Sequence, residues 1–330
     1  MFEDAAYRDE AESLIDLPET FELIEHWRIV LIEYEINYGG GVRLLLPQVW
    51  NSSIKDTLNY YEQSYLTPRA QFPFNFILIN ELNDQSNASG FKTTIDKFIN
   101  ALPIGAIPSW FVSGFQSTVC LVSYLIRFFQ LGSHDHSRVA SRFGADRVDG
   151  MMALLLTLPG VAVTYYGDEI GMVDYRDISW EDTTDPQACN LDSNTYKNAS
   201  RDPARTPFQW DSTAYSGFKN DTGDKPWLPV HPDYKDNNLE MQMKADKSHY
   251  QFFQQLSALR RDEVFTKGNF NSTAVTDYLF AYTRTYNNST YVVLINLGQS
   301  EGFDVNELGV NFGVNSEVVL ASSISKFEIG

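Results

Sequence analysis

Apolar positions near the start of the chain recur at helical spacing. From Asp16, read as a cap ahead of Pro18, the run 19–34 sets Phe21, Ile24, Trp27, Leu31 and Tyr34 on one face. A short apolar strand is expected at 42–46, a helix at 54–61, a strand at 74–79 and a helix at 91–102. A strand near Trp110, a helix over 147–158 and a β-branched strand at 161–165 continue the alternation. Strands alternating with helices mean parallel βαβ units, hence an α/β layout. The stretch 166–247 is polar and rich in Pro, Asp and Asn, and loops of that length are commonly functional. After a helix at 248–263 the period changes to two, with strands expected at 278–285, 291–297 and 317–321. The pattern divides the chain into an α/β unit at 1–265 and a small β-sandwich at 266–330.

Composition narrows the partners. The balance of 25 basic against 43 acidic residues gives a net charge of −18. Nucleic acid and anionic membrane surfaces both demand basic patches, so neither is an expected partner. Asn-x-Ser/Thr acceptor sequences occur at Asn51, Asn87, Asn198, Asn220, Asn271, Asn287 and Asn288, which favours a secreted glycoprotein. Met1 is followed by the acidic Phe2-Glu3-Asp4, which is no signal peptide, so the two observations conflict unless the chain has lost its start. Cys120 and Cys189 could pair, but two cysteines imply no disulfide framework. No His, Cys and acid cluster has metal-ligand spacing, and no cofactor is implied.

Candidate chemistry concentrates in Gly132-Ser133-His134-Asp135-His136-Ser137-Arg138. At a strand's C-terminal end the chain turns, and several side chains converge there. A carboxylate that accepts from hydroxyls, beside an imidazole and a guanidinium that donate, suits a polyhydroxylated ligand. A surface ion-pair cluster is the plainer alternative for such short spacings. Two further runs stand out: Tyr165-Tyr166-Gly167-Asp168-Glu169, an acidic turn at a strand exit, and Arg201-Asp202-Pro203-Ala204-Arg205-Thr206-Pro207-Phe208-Gln209-Trp210-Asp211, a stiffened loop. Asp168 and Glu169 read as groups that order their loop.

Together with Phe72-Pro73-Phe74-Asn75-Phe76 and Asp185-Pro186-Gln187-Ala188-Cys189-Asn190, these runs resemble the alpha-amylase family, glycoside hydrolase family 13. The resemblance is narrower to maltase-like alpha-glucosidases of the insect-gut type. It implies the second half of a (β/α)8 barrel followed by a small β-sandwich, and hydrolysis of terminal alpha-linked glucose from maltose and short oligosaccharides. The family's nucleophile lies in a Gly-Phe-Arg-x-Asp-Ala motif, and these 330 residues contain none. Its acid/base Glu falls at Gln48 here, and an amide has no labile proton to donate. Asp135 and His134 match the Asn-His-Asp segment that binds the reacting sugar, with Ser133 replacing the Asn, and Arg138 matches a sugar-binding Arg. The chain as written is therefore expected to be inactive. Two alternatives stay open: a non-catalytic interaction protein like the ectodomain of a transporter heavy chain, and a faulty gene model.

Residues 112–130 interrupt the family spacing. Removing these 19 residues restores Trp-Phe-Leu-Gly-Ser-His-Asp. Val112-Ser113 can be encoded by a splice donor, and Phe128-Phe129-Gln130 by a pyrimidine tract ending in CAG. A retained intron is one reading, and a real apolar loop or helix is the other. A membrane span fits less well, because the run is short and carries Arg127.

Overall fold

The computed structural model describes residues 16–49, 54–61, 69–71, 73–103, 132–160, 162–218, 225–298, 308 and 316–325. The run 112–130, the expected strand near Trp110, Cys120 and the acceptor asparagines Asn51 and Asn220 lie outside them.

Helix α1, Pro18–Tyr38, begins with Pro at its first position, where the fixed φ suits a helix and no amide is lost. It ends at Gly39, whose φ of 66° few other residues would accept. Asp16 makes no cap, since its carboxylate receives the Tyr60 hydroxyl instead. The buried face is also not the expected one. Ile24 and Arg28 point inward, while Trp27 and Tyr34 are 52% and 49% exposed. Leu23, Ile29, Val30 and Ile36 make the helix apolar on several sides, so its periodicity does not single out one face.

Short helices α2 (Ile54–Asn59) and α3 (Ile77–Glu81) follow, then α4 (Ala88–Ala101). The strand expected at 74–79 turns helical at Ile77. Asn75 Oδ1 accepts the Ile77 amide at 2.9 Å, a local bond that diverts the backbone from a ladder. Likewise no ladder forms at 42–46, where the Leu45 amide bonds to the Gln71 side chain at 3.0 Å. What remains of parallel pairing there is a bridge between Gln48 and Phe74, with the Phe74 amide on Pro47 O at 2.9 Å. At 162–165 only Ala162 is bridged.

Helix α4 shows how patterning specifies packing. Asn87 caps it by accepting the Gly90 amide, and Ala88, Phe91, Thr94, Ile95 and Phe98 form one buried stripe. Helices α5 (Val139–Phe143) and α6 (Val148–Thr157) come next, α6 being buried along most of its length. The described residues of 166–247 are ordered by short turns and by α7 (Pro186–Cys189) and α8 (Leu239–Lys244). Helix α9, His249–Leu259, is shorter than expected, and α10 (Glu263–Lys267) starts anew after the Asp262 cap.

A three-stranded antiparallel sheet closes the described fold: β1 Asn269–Ala274, β2 Leu279–Tyr286 and β3 Ser289–Asn296, in that order. Strand β1 was not expected, because Asn269, Asn271 and Ser272 mask its alternation. The expected strand at 317–321 pairs with no strand among the described residues, which contain this one named sheet. One apolar core runs through Phe91, Phe143, Leu154, Phe280, Tyr282 and Ile295, joining helices and sheet. Arg284 on β2 is buried within it. Its guanidinium donates to Thr157 O at 2.5 Å, closing the C-terminal end of α6, and to Phe265 O and Gly268 O, both at 2.9 Å. A second tie is Asp149 on α6, which accepts His249 Nδ1 at 2.6 Å and the amide of Ser323 at 2.6 Å.

Candidate active site

Ser133 shapes the turn that presents Asp135: its hydroxyl accepts the Asp135 amide at 3.1 Å and lies 3.1 Å from His136 Nδ1. The His136 ring stacks on Phe76, with centroids 6.1 Å apart, and burial beside Arg142 lowers its pKa to about 4. It is therefore neutral near pH 7. The Asp135 side chain keeps 14% of its surface exposed. Its Oδ1 takes Arg201 Nη1 at 2.8 Å and Arg205 Nη2 at 3.1 Å, and its Oδ2 lies 3.1 Å from His134 Nε2. Arg205 Nε also donates to His134 O at 2.8 Å, so one guanidinium grips both members of the His–Asp pair.

The cluster extends inward to Asp185, the cap of α7. Arg201 reaches it with Nε at 2.9 Å and Nη2 at 2.7 Å, a fork that fits both carboxylate oxygens. The backbone amides of Arg201 and Gln187 add bonds at 2.7 and 3.2 Å. Burial opposes the charge on Asp185, but the Arg201 fork and these amides outweigh it and hold the pKa at about 2. Arg201 is correspondingly pushed up by Asp185 and then Asp135. Asp202 orders the approach by accepting the Thr184 and Asp185 amides at 2.7 and 2.9 Å.

Arg138 lies one layer beneath. It is fully buried, its guanidinium 5.1 and 4.8 Å from the ring centres of Tyr165 and Tyr166, with Nη1 on Tyr166 O at 2.7 Å. Those tyrosines in turn hold the Arg205 loop, their hydroxyls donating to Ala204 O at 3.1 Å and Thr206 O at 2.8 Å. Arg138 thus contacts the tyrosines that carry the Arg205 loop. Gln48 is exposed and stands on the neighbouring segment, bridged to Phe74, two residues before the Phe76 that stacks on His136. Glu169 Oε2 accepts the Gly167 amide at 2.7 Å, in keeping with a loop-ordering part. Arg201, Arg205 and Asp185 were not singled out as site residues. The density of Arg and Asp in 201–211 was the available signal, but contacts 66 and 70 positions apart are not written in local spacing.

Asp168 is buried and neither carboxylate oxygen has a hydrogen-bond partner. It sits under Gly132, where an added Cβ would lie 2.4 Å from its Oδ2. Gly132→Ala is therefore expected to destabilise the fold by about 1–3 kcal/mol, the usual penalty of overpacking. A denaturant midpoint unchanged by that substitution would contradict it. Burial pushes the Asp168 carboxyl up to about 7, with Arg138 opposing, Glu169 adding, Arg142 opposing and Asp174 adding. A carboxyl whose folded pKa is raised favours folding below the unfolded value of about 3.9 and loses that contribution as pH rises through the folded one. Between about pH 4 and 7 this group therefore lowers stability progressively, and Asp168→Asn is expected to flatten that part of the profile. Melting temperatures of both proteins across this window check the sign.

Among the described residues no group of three or more His, Cys, Asp and Glu is placed to hold a metal ion, and no helix is long and apolar enough to cross a membrane. Asn87, Asn198, Asn271, Asn287 and Asn288 are all exposed, as is Cys189.

The turn at Ser133 thus presents a carboxylate that two arginines from a distant loop hold in place. The family model described as alpha amylase, catalytic domain, matches residues 1–268. The chain belongs to the alpha-amylase family. Among its relatives, Maltase 1 of Drosophila virilis is 42% identical over 82% of this chain and 39% of its own length. Maltase A1 of Drosophila melanogaster is 38% identical over 94% of this chain and 50% of its own. The chain thus spans about half the length, or less, of these relatives. In fold it is similar to a trehalulose synthase, MutB, from Pseudomonas mesoacidophila MX-45, with a TM-score of 0.65 at 23% identity over 85% of this chain and 50% of that one. Family membership gives the architecture its frame: an alpha-amylase catalytic unit with an antiparallel sheet at its C-terminal side.

Proposed function

We propose that this chain is the second half of an alpha-glucosidase barrel, residues 1–265, carrying a small β domain at 266–330. On this reading Asp135 binds the hydroxyls of a terminal alpha-linked glucose and faces the positive charge that develops at its anomeric carbon. His134 shares that duty, while Arg201 and Arg205 hold the Asp135 carboxylate in one orientation. Arg138, matched to a sugar-binding Arg, supports the site from beneath through Tyr165 and Tyr166. The observation that carries the reading is the Asp135 carboxylate, braced by Arg201 and Arg205 on one oxygen, beside His134 on the other, and still partly exposed.

Retaining hydrolysis needs a nucleophile and an acid at carboxyl separations of about 5–5.5 Å. With Gln48 at the acid position and no nucleophile motif in the sequence, the reading is a sugar-binding chain without turnover. Gln48 also favours the alternative of a non-catalytic interaction protein, but the braced Asp135 site gives that alternative no role. Isothermal titration with glucose and maltose tests the proposal: saturable binding weakened at least about tenfold by Asp135→Asn supports it. Binding of neither sugar overturns it. The acceptor asparagines, exposed wherever they are described, and the maltase relatives support a secreted glycoprotein, and intact-mass measurement after expression in insect cells would register the glycans.

A further inference from the structure

Beneath the Asp135 turn a buried acid and a buried guanidinium lie within electrostatic reach of each other, unbonded. Both carboxylate oxygens of Asp168, and Nε and Nη2 of Arg138, have no hydrogen-bond partner among the described residues. The two side chains are shut off from solvent. Buried polar atoms are nearly always bonded, so orphan acceptors beside orphan donors call for a cause.

The two groups flank the segment that presents Asp135. Asp168 sits under Gly132, three residues before Asp135, with no room for a Cβ between them. Arg138 stands three residues after it, its amide on Asp174 Oδ1 at 2.8 Å and its Nη1 on Tyr166 O at 2.7 Å. From Tyr165 and Tyr166, hydroxyl bonds run to the loop of Arg205, which reaches Asp135 Oδ1. We propose that Asp168 is a positioning residue for Asp135, acting through Arg138 as a two-state element. With the Asp168 carboxyl neutral, Arg138 stays on Tyr166 and the Arg205 loop is held. With it ionised, Arg138 turns Nε and Nη2 to Asp168, gives up Tyr166 O, and the loop slackens. The sugar that reads this out rests on the carbohydrate reading of Asp135.

The surrounding charges single out Arg138 as the partner recruited. Of the groups facing Asp168, Arg138 and Arg142 favour its ionised form, while Glu169 and Asp174 oppose it. Arg142 is anchored on Ile79 O at 3.2 Å, Glu169 on the Gly167 amide, and Asp174 on the Arg138 amide and on Arg176. Burial pushes the Tyr165 hydroxyl up, so it stays neutral. With the Asp168 carboxyl held at about 7, about a tenth of the molecules are ionised there at pH 6 and about nine-tenths at pH 8.

Titration calorimetry of the full chain with maltose at pH 6 and pH 8 tests the proposal. Binding is expected to be about 5-fold weaker at pH 8, the margin of one hydrogen bond. Asp168→Asn, the neutral isostere, should keep the pH 6 affinity at both. His134 touches Asp135 directly, so a pH dependence that survives Asp168→Asn belongs to it and overturns the proposal. Equal wild-type affinity at the two pH values overturns it too and spares the Asp135 reading, whereas no binding at either removes both. Should Asp168→Asn not fold, Trp227 decides, because its Nε1 donates to Arg205 O at 2.9 Å and reports on the loop. A change in emission near pH 7 that Trp227→Phe abolishes supports the device. No change, or one that persists in Trp227→Phe, overturns it.

Discussion

The purified chain is expected to release no glucose from maltose or from a chromogenic alpha-glucoside. Its rate should fall at least about 10⁴-fold below that of an intact insect maltase, since members of a catalytic unit typically cost 10⁴ to 10⁶ when removed. The cause is chemical. On the proposed reading Gln48 presents an amide where the leaving oxygen needs a proton, and the sequence contains no Gly-Phe-Arg-x-Asp-Ala motif to supply the nucleophile. Gln48→Glu alone should therefore restore nothing, because one carboxyl cannot perform both half-reactions. Steady-state assays of the wild type and this variant decide it. Turnover at a substantial fraction of a maltase's rate, in either protein, would mean that another carboxylate serves as nucleophile.

The second large effect concerns stability. Asp185→Ala is expected to cost about 3–5 kcal/mol, the range for removing one partner of a buried ion pair. Its side chain is fully buried, and its loss strips Arg201 of two bonds while leaving the Arg201 and Gln187 amides without their acceptor. Arg201 would keep only Asp135, so Asp135 should also lose its fixed orientation. Asp185→Asn, which retains the shape and one acceptor, should cost less. Urea unfolding at pH 7 measures both, and equal midpoints for Asp185→Ala and the wild type would sink the claim. Because Asp185 has a depressed pKa, its contribution is present above the unfolded value of about 3.9 and is lost as pH falls through about 2. The gap between wild type and variant should narrow in that acid window.

Local pattern carried part of this architecture and failed at identifiable points. Helix α4 was legible from its apolar stripe, but the expected start at 91 omitted the first residues from Ala88 that Asn87 caps. The buried face of α1 was not, because apolar residues occur on several sides of that helix. The run 74–79 has strand composition, yet one side-chain bond from Asn75 turns it helical. Strand β1 was hidden by its Asn and Ser content, and only pairing with β2 makes it a strand. In the site, His134 and Asp135 could be read from their segment, whereas the arginines that brace Asp135 arrive from a loop far along the chain. Arg138 was legible as part of the cluster, but its depth was not, since nothing in its neighbours' identities reveals the two tyrosine rings beside it.

The carboxylate of Asp149 has a consequence for synthesis. Its partners His249 and Ser323 lie 100 and 174 positions downstream. At about 5–20 residues per second, Ser323 leaves the ribosome roughly 10–35 s after Asp149. For most of that interval α6 lacks the complete sheet that covers it, and Asp149 gains His249 only after 100 positions and Ser323 at its end. Its apolar residues Met151, Leu154 and Leu155, fully buried in the finished fold, then face the cytosol or a translocation channel. Nascent chains stalled before β1 should accordingly be caught by apolar-binding chaperones, and release should coincide with emergence of the last strand rather than of the last helix.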